Sequence, residues 1–254
     1  MLRYERKYFV RNERLEALRE RLLPFVNPDE HTKVDAGGLS QYTVRSIYYD
    51  TPLMEYYYEK KEGLENRNKF RIRGYDKQNS ESIVFLEIKK KLGNRIGKHR
   101  STLKYSHLEE LLKTGNYKDL VLTRKKDAQK FLFYFYGKSL QPVNLVVYDR
   151  EAYHGKFDHG VRITFDKNVR TAIYPRIEEL YSESRLKAVT PGLFILEIKY
   201  FNIMPLWARS IVEEFGLQLE AISKYSSGLE IHHSFYGRTR FSPFGLSRNA
   251  FNEF

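Results

Sequence analysis

The sequence predicts an α+β domain built on an antiparallel sheet or a closed barrel, and three observations carry that prediction. Runs with period-two alternation of apolar and polar residues recur, about eight of them, with helical segments inserted between. Several runs are joined by connections too short for a parallel crossover. Four residues, Leu-Glu-Ile-Lys, occur twice inside such runs, at Leu86–Lys89 and Leu196–Lys199.

Met1–Val10 alternates, with Arg3, Glu5, Lys7 and Phe9 on one face and Tyr4, Arg6, Tyr8 and Val10 on the other. Asn12 is placed to cap a helix striped by Leu15, Leu18, Leu22 and Phe25, ended by Pro24 and Pro28. His31–Leu39, with Gly37-Gly38, reads as a turn, and Tyr42–Asp50 as a strand. The tyrosine-rich stretch after Pro52 stays open between helix and loop.

Asn66–Tyr75 carries Lys69, Arg71 and Arg73 opposite Phe70 and Ile72. Ile83–Lys91 carries Glu87, Lys89 and Lys91 opposite Val84, Leu86 and Ile88. After a Gly93-Asn94 turn, Ile96–Tyr105 places Lys98 and Arg100 on one face, completing a meander. Ser106-x-x-Glu109 reads as a capping box for a helix closed by Gly115, and Thr123 as the cap of a second one ending at Gly137. Strands resume at Leu145–Tyr153 and Val161–Asp166; Tyr174–Pro191 reads as loop; Leu193–Tyr200 holds the second repeat. A helix opens at Pro205 and stops at Gly216, and a last one starts near Ser223. One domain over residues 1–236 and an extended tail over 237–254 are expected.

Composition narrows the chemistry. A chain of 254 residues supports a sizeable core, and 20 Tyr with 17 Phe argue against disorder. The absence of Cys excludes disulfides, thiolate metal sites and Cys nucleophiles. No apolar run approaches the roughly 18 residues of a membrane span, and no leader-like apolar stretch opens the chain, so a soluble cytoplasmic protein is expected. A net charge of +12 and a pI near 9.5 point to a polyanionic partner: nucleic acid, polyphosphate or nucleotide. The seven histidines do not cluster; His232-His233 is expected at the surface, and His99 falls on the face opposite Lys98 and Arg100.

The strand faces collect Glu5 and Lys7, Arg71 and Arg73, Glu87 and Lys89, Lys98 and Arg100, Arg150, Arg162, and Glu197 and Lys199. A single such pair is an ordinary solvated face. Repetition of one layout, with Arg, Lys and Glu in place of Ser, Thr and Asn, is not. Closure of the sheet would point these residues at one lumen. Burying that excess of cations without a counter-ion costs several kcal/mol per ion, so the lumen would be wet or filled by a polyanion. Arg forks suit phosphate oxygens and Lys acts as a point charge. Carboxylates among them suit Mg²⁺ or Mn²⁺ bridging to phosphates; the rival reading pairs each Glu with a neighbouring Lys. Ser223-Lys224 at a helix start adds a second phosphate-binding device, against plain N-capping by Ser223.

Glu5-x-Lys7-Tyr8, Ser46–Thr51, Lys69–Arg73, the two repeats, Tyr148–Arg150, Arg162–Asp166 and Ser223–Tyr225 occur in an order similar to that of the VTC domain. That domain is the polyphosphate polymerase module of the CYTH-like, triphosphate tunnel metalloenzyme superfamily. The resemblance implies an eight-stranded antiparallel β-barrel, a tunnel with helices packed around it. It implies an ATP-dependent phosphotransferase that moves the γ-phosphoryl group onto polyphosphate and releases ADP. By similarity Lys7, Arg71, Arg73, Lys89, Arg150, Arg162 and Lys224 are phosphate ligands, joined by Lys98, Arg100, Lys199 and Ser223. Glu197 is the metal ligand, with Glu5 and Glu87 as helpers, for Mn²⁺ or Mg²⁺.

The wider superfamily hydrolyses triphosphates or cyclises ATP with Glu-x-Glu-x-Lys, where this chain has Arg3-x-Glu5-x-Lys7. A hydrolase and a polyphosphate-binding module without turnover are the alternatives. Nucleic acid ranks below them, because the cations sit on alternating strand positions with acids among them.

Overall fold

The structure, a computed structural model, describes residues 3–29, 33–34, 40–92 and 95–232. Its strands are β1 (Arg3–Arg11), β2 (Val26–Pro28), β3 (Lys33–Val34), β4 (Ser40–Asp50), β5 (Arg67–Tyr75), β6 (Ile83–Leu92), β7 (Arg95–Lys104), β8 (Val121–Thr123), β9 (Gln141–Gly155), β10 (Arg162–Ile173), β11 (Lys187–Ala188) and β12 (Leu193–Phe201). The helices are α1 (Leu15–Leu22), α2 (Glu55–Lys61), α3 (Leu108–Thr114), α4 (Tyr117–Leu120), α5 (Lys125–Gly137), α6 (Leu206–Glu214) and α7 (Lys224–Glu230). The turns expected at Gly37-Gly38 and Gly93-Asn94, the tail from 237 and His233 lie outside the described residues.

The α+β class stands, but the closed eight-stranded barrel does not. Twelve strands hydrogen-bond in the order β1-β12-β10-β9-β4-β5-β6-β7-β8, with β11 on β10, β2 on β9 and β3 on β4. The path does not return: among the described residues no pairing joins β1 to β8. The terminal strand β8 has only three residues before the chain turns into α5, too few to serve as a second seam. The sheet is antiparallel and open.

The chain divides into two compact units. The first comprises Met1–Val44, Val147–Arg170 and Ala188–Ser223; the second comprises Arg45–Val146, Thr171–Lys187 and Lys224–Phe254. In the first, the inner faces of β1, β10 and β12 (Tyr8, Val10, Ile163, Phe165, Phe194, Leu196, Ile198) pack with Leu18 and Leu22 of α1 and Ile211 of α6. In the second, Phe70, Ile72, Leu86 and Ile88 are buried, with Phe70 against Tyr56 of α2 at 5.1 Å and Phe131 of α5 at 6.0 Å. In both repeats the apolar face seals the core, so the charged residues are held on the opposite face of each strand.

Several local expectations change. The tyrosine-rich segment is a helix, α2, whose first amides Tyr56 and Tyr57 donate to the carboxylate of Asp50. That anchor compensates for Met54, which precedes the helix with φ 59°. Neither Ser106 nor Thr123 caps a helix: a 3-10 turn at Tyr105–His107 leads into α3, and Arg124 precedes α5. Gly115 does close α3 in the left-handed conformation, φ 72°. His232 is buried rather than at the surface, with 5% exposure. Among the described residues no helix is long and apolar enough to cross a membrane.

Candidate functional site

Each unit places one Leu-Glu-Ile-Lys strand beside charged neighbours, and the two settings differ in kind. In the second unit the register sets Arg71 opposite Glu87 and Glu87 opposite Arg100, so one carboxylate stands between two guanidinium groups. Side chains directly opposite on an antiparallel pair share a face, with Cβ atoms about 5 Å apart. Arg71 Nε donates to Glu87 Oε2 at 2.6 Å, and Lys98 Nζ and Arg100 Nε lie 3.0 and 3.2 Å from Oε1. Glu87 is 1% exposed. Burial pushes its carboxyl up, but Arg71, Arg73 and Lys98 outweigh burial and hold it well below the usual carboxylate range.

The next rung sets Lys69 beside Lys89 and Lys89 beside Lys98, three cations in register on the same face. Arg73 Nε donates to Ser46 Oγ at 3.0 Å, and Arg71 Nη1 to the Tyr48 hydroxyl at 3.0 Å. The Arg100 guanidinium lies 3.7 Å from the centre of the Phe85 ring, which fixes its plane. Six cations (Lys69, Arg71, Arg73, Lys89, Lys98, Arg100) therefore share a face whose register includes a single carboxylate, Glu87. A face of this charge suits an anion.

The first unit is arranged differently. Lys7 faces Glu197 and Glu5 faces Lys199 across β1 and β12, while Arg162 faces Lys199 and Thr164 faces Glu197 across β10 and β12. Glu197 receives Lys199 at 2.5 Å, with Lys7 and Arg150 each 3.7 Å away and Thr164 Oγ1 at 3.5 Å. Lys7 also reaches Glu5 at 2.8 Å and donates to the Ile222 carbonyl at 3.2 Å. Arg150 forks onto Asp166, at 2.6 and 2.7 Å. Arg162 donates to Asp29 at 2.8 Å and to the Tyr42 hydroxyl at 3.3 Å.

Here four cations (Lys7, Arg150, Arg162, Lys199) meet four carboxylates (Glu5, Asp29, Asp166, Glu197). Burial pushes Glu197 up, yet Lys199, Lys7 and Arg150 keep it ionised, well below the usual range. Lys199 is pulled down to about 8, first by burial; Glu197 and Glu5 oppose this and Arg150 adds to it.

Among the described residues no three His, Asp or Glu converge on a metal position. Glu5 and Glu197 share Lys7, whose Nζ lies 2.8 Å from Glu5 and 3.7 Å from Glu197. Two carboxylate oxygen donors fit Mg²⁺ or Mn²⁺, which keep water and substrate phosphate oxygens in their remaining positions. Glu87, the other expected metal helper, lies within 3.2 Å of Arg71, Lys98 and Arg100.

Lys224 opens α7, and Ser223 stands immediately before it, 6% exposed; the helix has only seven residues. Reading single strands missed Thr164, Asp166, Tyr48 and Asp50. The same period-two rule reaches all four, because Arg162, Thr164 and Asp166 alternate on β10, and Ser46, Tyr48 and Asp50 on β4.

A family model described as the VTC domain matches residues 2–233. Among solved structures, a putative adenylyl cyclase, HpAC1 from Hippeastrum, described as having a dominant triphosphatase activity, superposes with a TM-score of 0.45 at 12% identity, covering 88% of this chain and 94% of that one. The Schizosaccharomyces pombe Mediator head module gives a TM-score of 0.42 at 10% identity, covering 85% of this chain and 92% of that one. No curated protein matches the chain.

Proposed function

Because this chain belongs to the VTC domain family, we propose that it is a metal-dependent polyphosphate polymerase, moving the γ-phosphoryl group of ATP onto a growing polyphosphate chain and releasing ADP. The observation that carries this reading is the β5–β6–β7 face, where Lys69, Arg71, Arg73, Lys89, Lys98 and Arg100 share a register with one buried carboxylate. Phosphoryl transfer asks a protein chiefly to align phosphates and neutralise their charge. Arg71, Arg73, Lys89, Lys98 and Arg100 supply that on the second unit, with Lys224 as a further cation. Glu87 keeps these like charges at fixed spacing. On the first unit Lys7, Lys199 and Arg162 offer cations, and Arg150 is held by its fork onto Asp166. Ser223 contributes a hydroxyl next to Lys224 in the chain. Glu5 and Glu197 would hold Mg²⁺ or Mn²⁺. Such an ion, when bound, neutralises phosphate oxygens as a Lewis acid.

The test is incubation of the protein with ATP and Mn²⁺. Long-chain polyphosphate that disappears on chelation is expected. Orthophosphate alone would make the protein a hydrolase of the same superfamily. Metal-independent binding of tripolyphosphate that survives Glu197→Ala, without turnover, would make it a binding module. Single-stranded nucleic acid is expected not to compete with tripolyphosphate.

A pH dependence follows from Lys199. Its ammonium gives up its proton near pH 8, so kcat/KM for ATP is expected to fall as the pH rises through that value. Lys199→Arg stays protonated throughout. It is expected to move the alkaline limb up by about one pH unit or more, read from the pH profile of kcat/KM. An unmoved limb would assign it to another group.

A further inference from the structure

Asp50 is fully buried at the end of β4, and its four hydrogen-bond donors are all neutral. Thr51 N, Tyr56 N and Tyr57 N donate at 2.7, 3.0 and 2.9 Å, and the Tyr225 hydroxyl is the fourth donor. Tyr225 is the residue after Lys224. Its ring stacks on Tyr48 with centroids 5.2 Å apart and planes 28° from parallel. The Tyr48 hydroxyl accepts from Arg71, whose other arm reaches Glu87. Burial raises the Tyr48 phenol, yet the charges of Arg71, Arg73 and Lys224 together bring it below its ordinary value, and the Arg71 guanidinium lies 5.8 Å from the ring centre.

The start of α7 is held from its other side too. Asn144 Nδ2 donates to the Tyr225 carbonyl at 3.0 Å. Gly228 lets the helix approach so closely that an added Cβ would stand 2.9 Å from Asn144 Nδ2 and 3.0 Å from Thr171 Oγ1. A buried carboxylate, two stacked phenol rings and a guanidinium thus form one continuous chain of contacts, from the end of β4 to the cationic face of β5.

We propose that Asp50 and Tyr225 are positioning residues for phosphate binding, setting the Tyr48 ring and through it the Arg71 guanidinium. This rests on the phosphate-binding reading of the β5–β6–β7 face. Since Tyr48 accepts its hydrogen bond from Arg71, the phenol's own proton is directed elsewhere, and a phosphate oxygen held by Arg71 is a chemically fitting acceptor. Tyr225 does not touch the ligand. It acts by denying Tyr48 and Arg71 alternative rotamers, which keeps the Arg71 fork ready before the anion arrives.

The experiment is calorimetric titration of the full chain with sodium tripolyphosphate, for wild type, Tyr225→Phe, Arg71→Gln and the double variant, with Tm recorded for each. Tyr225→Phe removes one hydroxyl and leaves the ring stack. It is expected to weaken tripolyphosphate about five- to tenfold, the worth of one hydrogen bond. The same change in the Arg71→Gln background is expected to have little effect, because the route through Arg71 is already cut. Asp50→Asn is expected to behave like Tyr225→Phe in affinity, with a larger loss of Tm from disturbing the amides of α2. A lowered Tm with unchanged affinity would overturn the proposal, as would an equal loss of affinity in both backgrounds. Wild type that fails to bind tripolyphosphate would instead remove the phosphate reading itself, and this proposal with it.

Discussion

Glu197→Gln is expected to abolish polyphosphate synthesis, lowering turnover by about 100-fold or more while leaving metal-free binding of tripolyphosphate within about threefold of wild type. The substitution keeps shape and removes one negative charge from among Lys7, Lys199, Arg150 and Thr164. The carboxylate is buried, and the three cations keep it ionised. With it gone, only Glu5 of the two proposed carboxylate ligands is left on this unit, which weakens the hold on Mg²⁺ or Mn²⁺. Loss of a negative charge does not penalise an anionic ligand, so binding without metal should persist. Product chromatography after incubation with ATP and Mn²⁺, alongside titration with tripolyphosphate in chelator, separates the two effects. A variant that keeps more than about a tenth of wild-type synthesis would exclude Glu197 as metal holder.

Glu87→Ala is expected to do the reverse: destabilise the protein and leave or improve its grip on phosphate. Breaking a buried ion pair by removing one member costs about 3–5 kcal/mol when the survivors are fully buried. Here the surviving Arg71, Arg100 and Lys98 side chains are 18%, 32% and 47% exposed. Water screens part of their mutual repulsion, so about 2 kcal/mol is the expected cost, a fall of about 4–8 °C in Tm. Tripolyphosphate supplies the missing negative charge, so saturating ligand should close more than half of the Tm gap between variant and wild type. Thermal melts with and without tripolyphosphate check this. An undiminished gap would mean that the anion is bound away from the Glu87 cluster.

The contrast between these two glutamates shows how far the amino-acid order reaches. Both lie in the same tetrapeptide, and alternation along either strand places the carboxylate opposite the core-facing Leu and Ile. That much is local, because a strand turns successive side chains to opposite faces whatever it pairs with. What surrounds each glutamate depends on which strands become neighbours and in what register, and no single strand contains that information. Glu87 falls between Arg71 and Arg100. Glu197 falls between Lys7 and Thr164, with Arg150 and its Asp166 partner close by.

Helix starts were less legible for a related reason. Ser106 and Thr123 have the chemistry of caps, but the backbone enters α3 through a 3-10 turn and α5 through Arg124 in the left-handed conformation. Asp50 was invisible as an anchor because its donors come from residues 51 to 57 and from Tyr225, at the far end of the chain.

From the sequence alone came the α+β class, the apolar and charged faces of the principal strands, and the set of cations and glutamates that the proposed chemistry uses. The tertiary structure decided that among the described residues no pairing joins β1 to β8, that one glutamate gathers three cations while another shares Lys7 with a second carboxylate, and that buried Asp50 reaches Arg71 through two tyrosines. Alternation is a property of a few consecutive residues, whereas strand closure, register and buried hydrogen bonds join residues far apart in the chain, and only the folded backbone brings those together.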